Sequence, residues 1–235
     1  MAKPQLSNAG IHQLHATTVI DEHGEPREIS LTGERPLTIY LDKREIVTLM
    51  TMGAQPELLT LGYLRNQGLV QSLDDIVAIQ VEWDVEAVAV TTRKERTDLD
   101  QVLSKRTVTS GCGQGTMFGN VMESLNELSL DCPSFNAETI YDVLDGIGEY
   151  NKMYKQAGAV HGCALCVGEQ VSIFVEDVGR HNAVDAISGW MWLNGVTGDG
   201  RVFYTTGRLT SEMVIKVAQM QVPLLLSRSG VTEMG

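Results

Sequence analysis

The alternation of apolar and polar positions divides the chain into short strands and amphipathic helices. Pro36 to Asp42 (PLTIYLD) and Glu45 to Thr51 (EIVTLMT) are strand-like runs joined at Asp42-Lys43-Arg44, the pattern of a hairpin. Gln55 to Gln67 carries Leu58, Leu61 and Leu64 at helical spacing, with Pro56 suited to the first turn and Gly68 to the position past the end. Ile76 to Trp83 and Val85 to Thr92 predict a second hairpin around Asp84. Met117 to Leu128 reads as a helix on Val121, Leu125 and Leu128. Asn136 to Gln156 reads as another, on Ile140, Val143, Leu144 and Ile147, ended by Gly158.

From Val160 the pattern changes to strands separated by helices. Val160 to Val167 (VHGCALCV) is strand-like, and Gly168-Glu169-Gln170 folds it back against Val171 to Val178. That second strand turns at Asp177-Val178-Gly179-Arg180-His181-Asn182 straight into a helix with Ala183, Val184, Ile187 and Trp190 on its apolar face. Arg201 to Thr206 is a strand, Thr210 to Gln221 a helix and Val222 to Ser227 a final strand. Helical crossovers predict that the last three strands are parallel. The expected fold class is α/β (α+β). Residues 1–33 form a polar arm or edge segment, 34–106 a smaller hairpin-rich α+β subdomain, and 107–235 an α/β domain. The charged stretch Arg93 to Arg106 marks the boundary.

If the three strands are parallel, the residues past their ends share one edge: Gly179, Arg180, His181 and Asn182, then Thr206, Gly207 and Arg208, then Ser227, Arg228 and Ser229. Ligand crevices of open α/β sheets lie outside that edge. Three guanidiniums beside helix N-termini suit a phosphate or pyrophosphate, because the planar fork binds oxyanions bidentately. His161 shares a face with Cys163, and Asp177 can lie across from it, so both are candidates for the pocket wall. Separately, Ser110-Gly111-Cys112-Gly113-Gln114-Gly115 places a thiol between glycines in polar surroundings, which points to chemistry rather than packing.

Composition narrows the field. A net charge of −12 argues against a general nucleic-acid binder, so an anionic ligand must be held by a local positive cluster. Four cysteines (Cys112, Cys132, Cys163, Cys166) in a chain of 235 residues, with no apolar h-region after Met1 and no membrane-length apolar run, fit a cytoplasmic protein with reduced thiols and no membrane partner. No metal site is expected. His12, His15 and His23 share no ligand spacing, and Cys163 and Cys166 fall on opposite faces of a strand. The zinc deaminase signature is absent.

Five segments together resemble the FdhD/NarQ family of formate dehydrogenase accessory sulfurtransferases. They are SGCG (Ser110 to Gly113), GAVHGCAL (Gly158 to Leu165), EDVGRHNAVDA (Glu176 to Ala186), TTGRLTSEMVIKVAQ (Thr205 to Gln219) and VPLLLSRS (Val222 to Ser229). The resemblance implies a cytidine-deaminase-like three-layer C-terminal domain without the zinc. It implies a sulfurtransferase in which Cys112 accepts persulfide sulfur from a cysteine desulfurase. It also implies delivery of that sulfur to the bis-molybdopterin guanine dinucleotide (Mo or W) cofactor of formate dehydrogenase, bound at the arginine-bearing edge. Gly115 stands where the family loop carries a second cysteine, and Ala186 where it carries a lysine. The family's C-terminal segment, used in cofactor binding, would follow Gly235. A non-catalytic molybdenum cofactor chaperone and a hydrolase or deaminase of nucleotide-like substrates are the alternatives. A homodimer through the N-terminal hairpins is compatible with the sequence.

Overall fold

The computed structural model describes residues 3–96, 98–104, 106–109, 115–118, 128–131 and 134–235. The N-terminal part is built from β1 (Gln5–Leu6), β2 (Leu14–Ile20), β3 (Pro26–Thr32), β4 (Arg35–Leu41), β5 (Arg44–Thr51), helix α1 (Pro56–Asn66), β6 (Ile76–Glu82) and β7 (Ala87–Thr92). Five of these strands form one sheet in the order β1-β6-β7-β4-β5, while β2 and β3 pair as a separate hairpin. The first residues are thus tied down. β1 lies parallel to β6, and Glu57 of α1 accepts hydrogen bonds from Ser7 Oγ (2.6 Å) and Ala9 N (2.7 Å).

Both expected hairpins form. In the β4–β5 turn Asp42 and Lys43 take positive φ of 47° and 71°, as a two-residue turn between twisted strands requires. The Asp42 carboxylate then accepts from Thr92 N at 2.9 Å and Thr92 Oγ1 at 2.6 Å, locking the turn to β7. The charged stretch beyond β7 is not wholly irregular. It contains helix α2 (Leu99–Ser104), anchored by buried Leu99.

Strands β8 (Arg106–Thr109) and β9 (Gly115–Phe118) pair antiparallel. Most of the helix expected over Met117 to Leu128 lies outside the described residues, and Met117 and Phe118 themselves belong to β9. The helix expected over Asn136 to Gln156 is two helices, α3 (Ala137–Ile147) and α4 (Lys152–Ala157). Two weak helix formers, Gly146 in the last turn of α3 and Gly148 just past it, precede the break. A second start is then fixed by Glu176, whose carboxylate accepts from Met153 N (3.1 Å) and Tyr154 N (3.0 Å).

The C-terminal sheet has the order β11-β10-β12-β13, with β10 (His161–Val167), β11 (Gln170–Asp177), β12 (Val202–Thr205) and β13 (Leu224–Ser227). Helix α5 (Arg180–Asn194) follows β11, and α6 (Ser211–Gln219) joins β12 to β13. The expectation of three parallel strands needs one correction. β11, β12 and β13 run in the same direction, but only β12 and β13 are bonded as parallel neighbours. β10 lies between β11 and β12, antiparallel to both, because the β10–β11 hairpin leaves the other edge of β10 open for β12.

One hydrophobic core joins the N-terminal sheet (Leu37, Ile39, Leu41, Ile79), α1, α5, α6 and the inner face of the C-terminal sheet (Cys163, Leu165, Phe203). Helices α1 and α5 cross with their backbones almost touching. A Cβ at Gly62 would lie 1.7 Å from the Asp185 carbonyl oxygen, and one at Gly189 would lie 2.0 Å from that of Leu58. Helix α3 covers the other face of the C-terminal sheet through Val143 and Ile147. Among the described residues no helix is long and apolar enough to cross a membrane.

Candidate functional site

The sheet register brings four segment ends together. His161, which opens β10, pairs with Asp177 at the end of β11; Cys163 pairs with Thr205 at the end of β12; Thr205 pairs with Ser227 at the end of β13. Thr206 is clamped to the start of β10, since its N–H donates to Gly162 O (2.9 Å) and its hydroxyl accepts from Gly162 N (3.0 Å). Over this edge opens a cavity of about 300 Å³ lined by Tyr154, His161, Thr206, Arg228 and Ser229, with buried Asn151 and Val160.

The three expected arginines arrive at this edge at different depths. Arg228 lines the cavity, and its charge acts on the nearby Tyr204 hydroxyl. Arg180, the first residue of α5, is buried, and its aliphatic stem runs over Gly207: a Cβ there would lie 2.6 Å from Arg180 Cδ. Only a residue without a side chain leaves that passage open. Arg208 is exposed. Burial, then the charges of Arg180 and Arg208, hold the His161 imidazole below its ordinary pKa. Among the described residues no hydrogen bond to that ring is made, and the ring stands on the cavity wall.

Other predicted residues are committed inward. Asp177 accepts from Thr51 Oγ1 (2.6 Å), Met52 N (3.3 Å), Gly179 N (3.1 Å) and Asn182 Nδ2 (2.8 Å). Burial still pushes its carboxyl upward, against those four bonds. Asn182 spends its other amide hydrogen on Met50 O at 2.6 Å. Together these two residues staple the β11–α5 turn to the end of β5. Ser227 Oγ donates to Gly207 O (2.9 Å) and accepts from Ser229 N (3.0 Å) and Gly230 N (3.1 Å), so it shapes the two loops.

Behind the turn lies a buried charged cluster that the sequence did not announce. Lys216 Nζ contacts Asp185 Oδ2 at 2.7 Å and Glu212 Oε1 at 3.8 Å. Glu212 Oε1 stands 3.6 Å from His181 Nδ1, and Asp185 also accepts from Asn66 Nδ2 at 2.7 Å. Burial first, then Lys216 and Arg180, push His181 down to about 2, so its ring is neutral at ordinary pH. Burial also raises the carboxyls of Asp185 and Glu212, partly offset by the Lys216 charge. Their only trace in the sequence is the i, i+4 spacing of Glu212 and Lys216, which on an exposed helix would be a surface pair. Ser229, named past the last strand end, lies on the cavity wall as expected, whereas Tyr154 was not singled out because it comes from a helix rather than from a strand end.

The thiols divide as strand alternation requires. Cys163 faces the main core and Cys166 the opposite face. Burial pushes Cys163 up to about 12 and Cys166 up to about 11, so neither is a ready thiolate. The predicted nucleophile Cys112 lies outside the described residues, in the interval between β8 and β9. No group of three or more His, Cys, Asp or Glu side chains able to hold a metal ion occurs among the described residues.

Fold and site define an α/β protein with a small cavity at the edge where β11, β12 and β13 end, with Arg228 on its wall and Arg180 and Arg208 beside it. A profile of the FdhD/NarQ family matches residues 32–235, and the chain belongs to that family. It is 31% identical over 221 residues to the sulfur carrier protein FdhD of Halalkalibacterium halodurans, covering 92% of this chain and 82% of that one. It is 28% identical over 221 residues to the protein of the same name in Bacillus subtilis, with 91% and 82% covered. A crystal structure of a putative formate dehydrogenase accessory protein from Desulfotalea psychrophila superposes with a TM-score of 0.71 at 25% identity, over 94% of this chain and 85% of that one.

Proposed function

We propose that this protein is a sulfurtransferase acting in the maturation of formate dehydrogenase. It accepts persulfide sulfur from a cysteine desulfurase on Cys112 and passes it to the bis-molybdopterin guanine dinucleotide cofactor, which is cargo. The observation that carries the reading is the cavity at the strand edge, with Arg228, His161, Thr206 and Ser229 on its wall and Arg180 and Arg208 beside it, in a chain whose relatives are named sulfur carriers. A cavity of about 300 Å³ is at the small end of ligand pockets. It therefore receives one guanine nucleotide end of the cofactor, whose pyrophosphate offers the oxyanions that guanidinium forks bind.

The loading step needs no outside oxidant. The Cys112 thiolate attacks the terminal sulfur of the donor persulfide, a new S–S bond forms on Cys112, and the donor cysteine leaves as a thiolate. The raised pKa values of Cys163 and Cys166 support assigning this step elsewhere than to them. Incubation with desulfurase and cysteine, followed by mass spectrometry, tests the assignment. The expected result is one added sulfur on the Cys112 peptide, lost in Cys112→Ala; labelling unchanged by that substitution would refute it.

A second reading, a non-catalytic cofactor chaperone, is favoured by one feature: Gly115 replaces the second cysteine of the family loop. Wild-type formate dehydrogenase maturation by the Cys112→Ala variant would select it.

A further inference from the structure

His161 is the one imidazole on the cavity wall, and its surroundings bear on its charge. It opens β10 directly beneath the cavity and is half-buried, and its ring makes no hydrogen bond to described residues. The cations facing it come from three elements: Arg180 at the start of α5, Arg208 after β12 and Arg228 after β13. The anions near it are engaged elsewhere. Asp177, its partner in register, is saturated by Thr51, Met52, Gly179 and Asn182, and Glu176 caps α4. Glu212 stands against His181 and Lys216. From α4, Tyr154 brings a phenol to the wall and Lys155 donates to Gly148 O at 2.8 Å. An empty cavity therefore surrounds the imidazole with positive charge and disfavours protonation.

A phosphate in the cavity reverses that balance. It brings one to two negative charges to the wall itself, and acceptor oxygens for an imidazolium N–H. We propose that His161 is a proton-coupled phosphate sensor: neutral while the cavity is empty, and protonated when a nucleoside diphosphate fills it. The imidazolium then adds a positive group to the arginines around the phosphates. Binding takes up a proton, and deprotonation weakens the hold on the ligand. The inference rests on the nucleotide-end reading of the cavity given above.

The sign follows from linkage. Binding raises the pKa of His161, so affinity weakens as pH rises from the free to the bound value, by up to about tenfold per pH unit for one coupled proton. Ionisation of the ligand's own terminal phosphate near pH 6 acts in the opposite sense, so the comparison is made above it.

The experiment is isothermal titration of the full chain with guanosine diphosphate at about pH 7, in buffers of different ionisation enthalpy, for wild type and His161→Asn. Wild type is expected to take up between about 0.5 and 1 proton per nucleotide, and the variant close to none, binding more weakly with a flatter pH profile. Nucleotide binding without proton uptake in wild type would overturn the sensor and leave the cavity reading standing. No binding at all would overturn both. Should His161→Asn fail to fold, the wild-type proton count still decides. An imidazole that stays unprotonated in the saturated complex, by nitrogen-15 NMR of labelled histidine, would contradict the proposal independently.

Discussion

The inner and outer rings of the strand edge lie side by side and do opposite work. The inner ring (Asp177, Asn182, Asp185, Glu212, Lys216) is buried, and its hydrogen bonds and ion pairs tie the β11–α5 turn and α6 to their neighbours. The outer ring (Tyr154, His161, Arg208, Arg228, Ser229) is half-buried or exposed and leaves polar groups directed at solvent or a ligand. Arg180 runs between them, with its stem packed on Gly207 and its charge felt by both His161 and His181. A motif can thus be functional as a block while most of its letters serve to aim a few.

Four substitutions break or sharpen that contrast, in decreasing order of effect. Lys216→Met removes the cation between Asp185 and Glu212 and leaves two buried carboxyls facing one another. Loss of about 3–5 kcal/mol of unfolding free energy is expected in urea denaturation. A loss below about 0.5 kcal/mol, the scale of an ordinary surface change, would mean that the inner ring is not holding the fold. Gly207→Ala should cost less, about 1–3 kcal/mol for inserting a methyl into an occupied space. Because it pushes on Arg180, it should also weaken guanosine diphosphate binding, a double effect that no other position in either ring is placed to give. Arg208→Gln and Arg228→Gln belong wholly to the outer ring. Stability within about 0.5 kcal/mol of wild type is expected, with each charge-assisted contact worth about tenfold in nucleotide affinity. Unfolding midpoints and titration calorimetry on the same samples separate the two rings.

Much of this edge was legible in the chain. The three loops were identified from strand–turn–helix transitions, and right-handed crossover logic gave their common direction. The insertion of β10 was not legible, since a hairpin partner and a crossover partner compete for the same edge and hydrophobic pattern does not rank them. The inner ring was hidden for a different reason. Glu212 and Lys216 sit at spacings that suit an exposed ion pair, and only tertiary packing of α6 against α5 buries them. The α3–α4 break depended on Glu176, a capping residue contributed from a strand more than twenty positions away. Asp177 and Asn182, expected at the ligand, carry signatures that a turn-stapling role and a binding role share.

Where the nucleotide end of the cofactor lies is read directly by a crystal structure of the full chain with guanosine diphosphate. Phosphate density against Arg228, Thr206 and His161 at the ends of β12 and β13 is the predicted result. Density elsewhere, such as the separate cavity of about 340 Å³ beside Lys94 and Arg96, would contradict it.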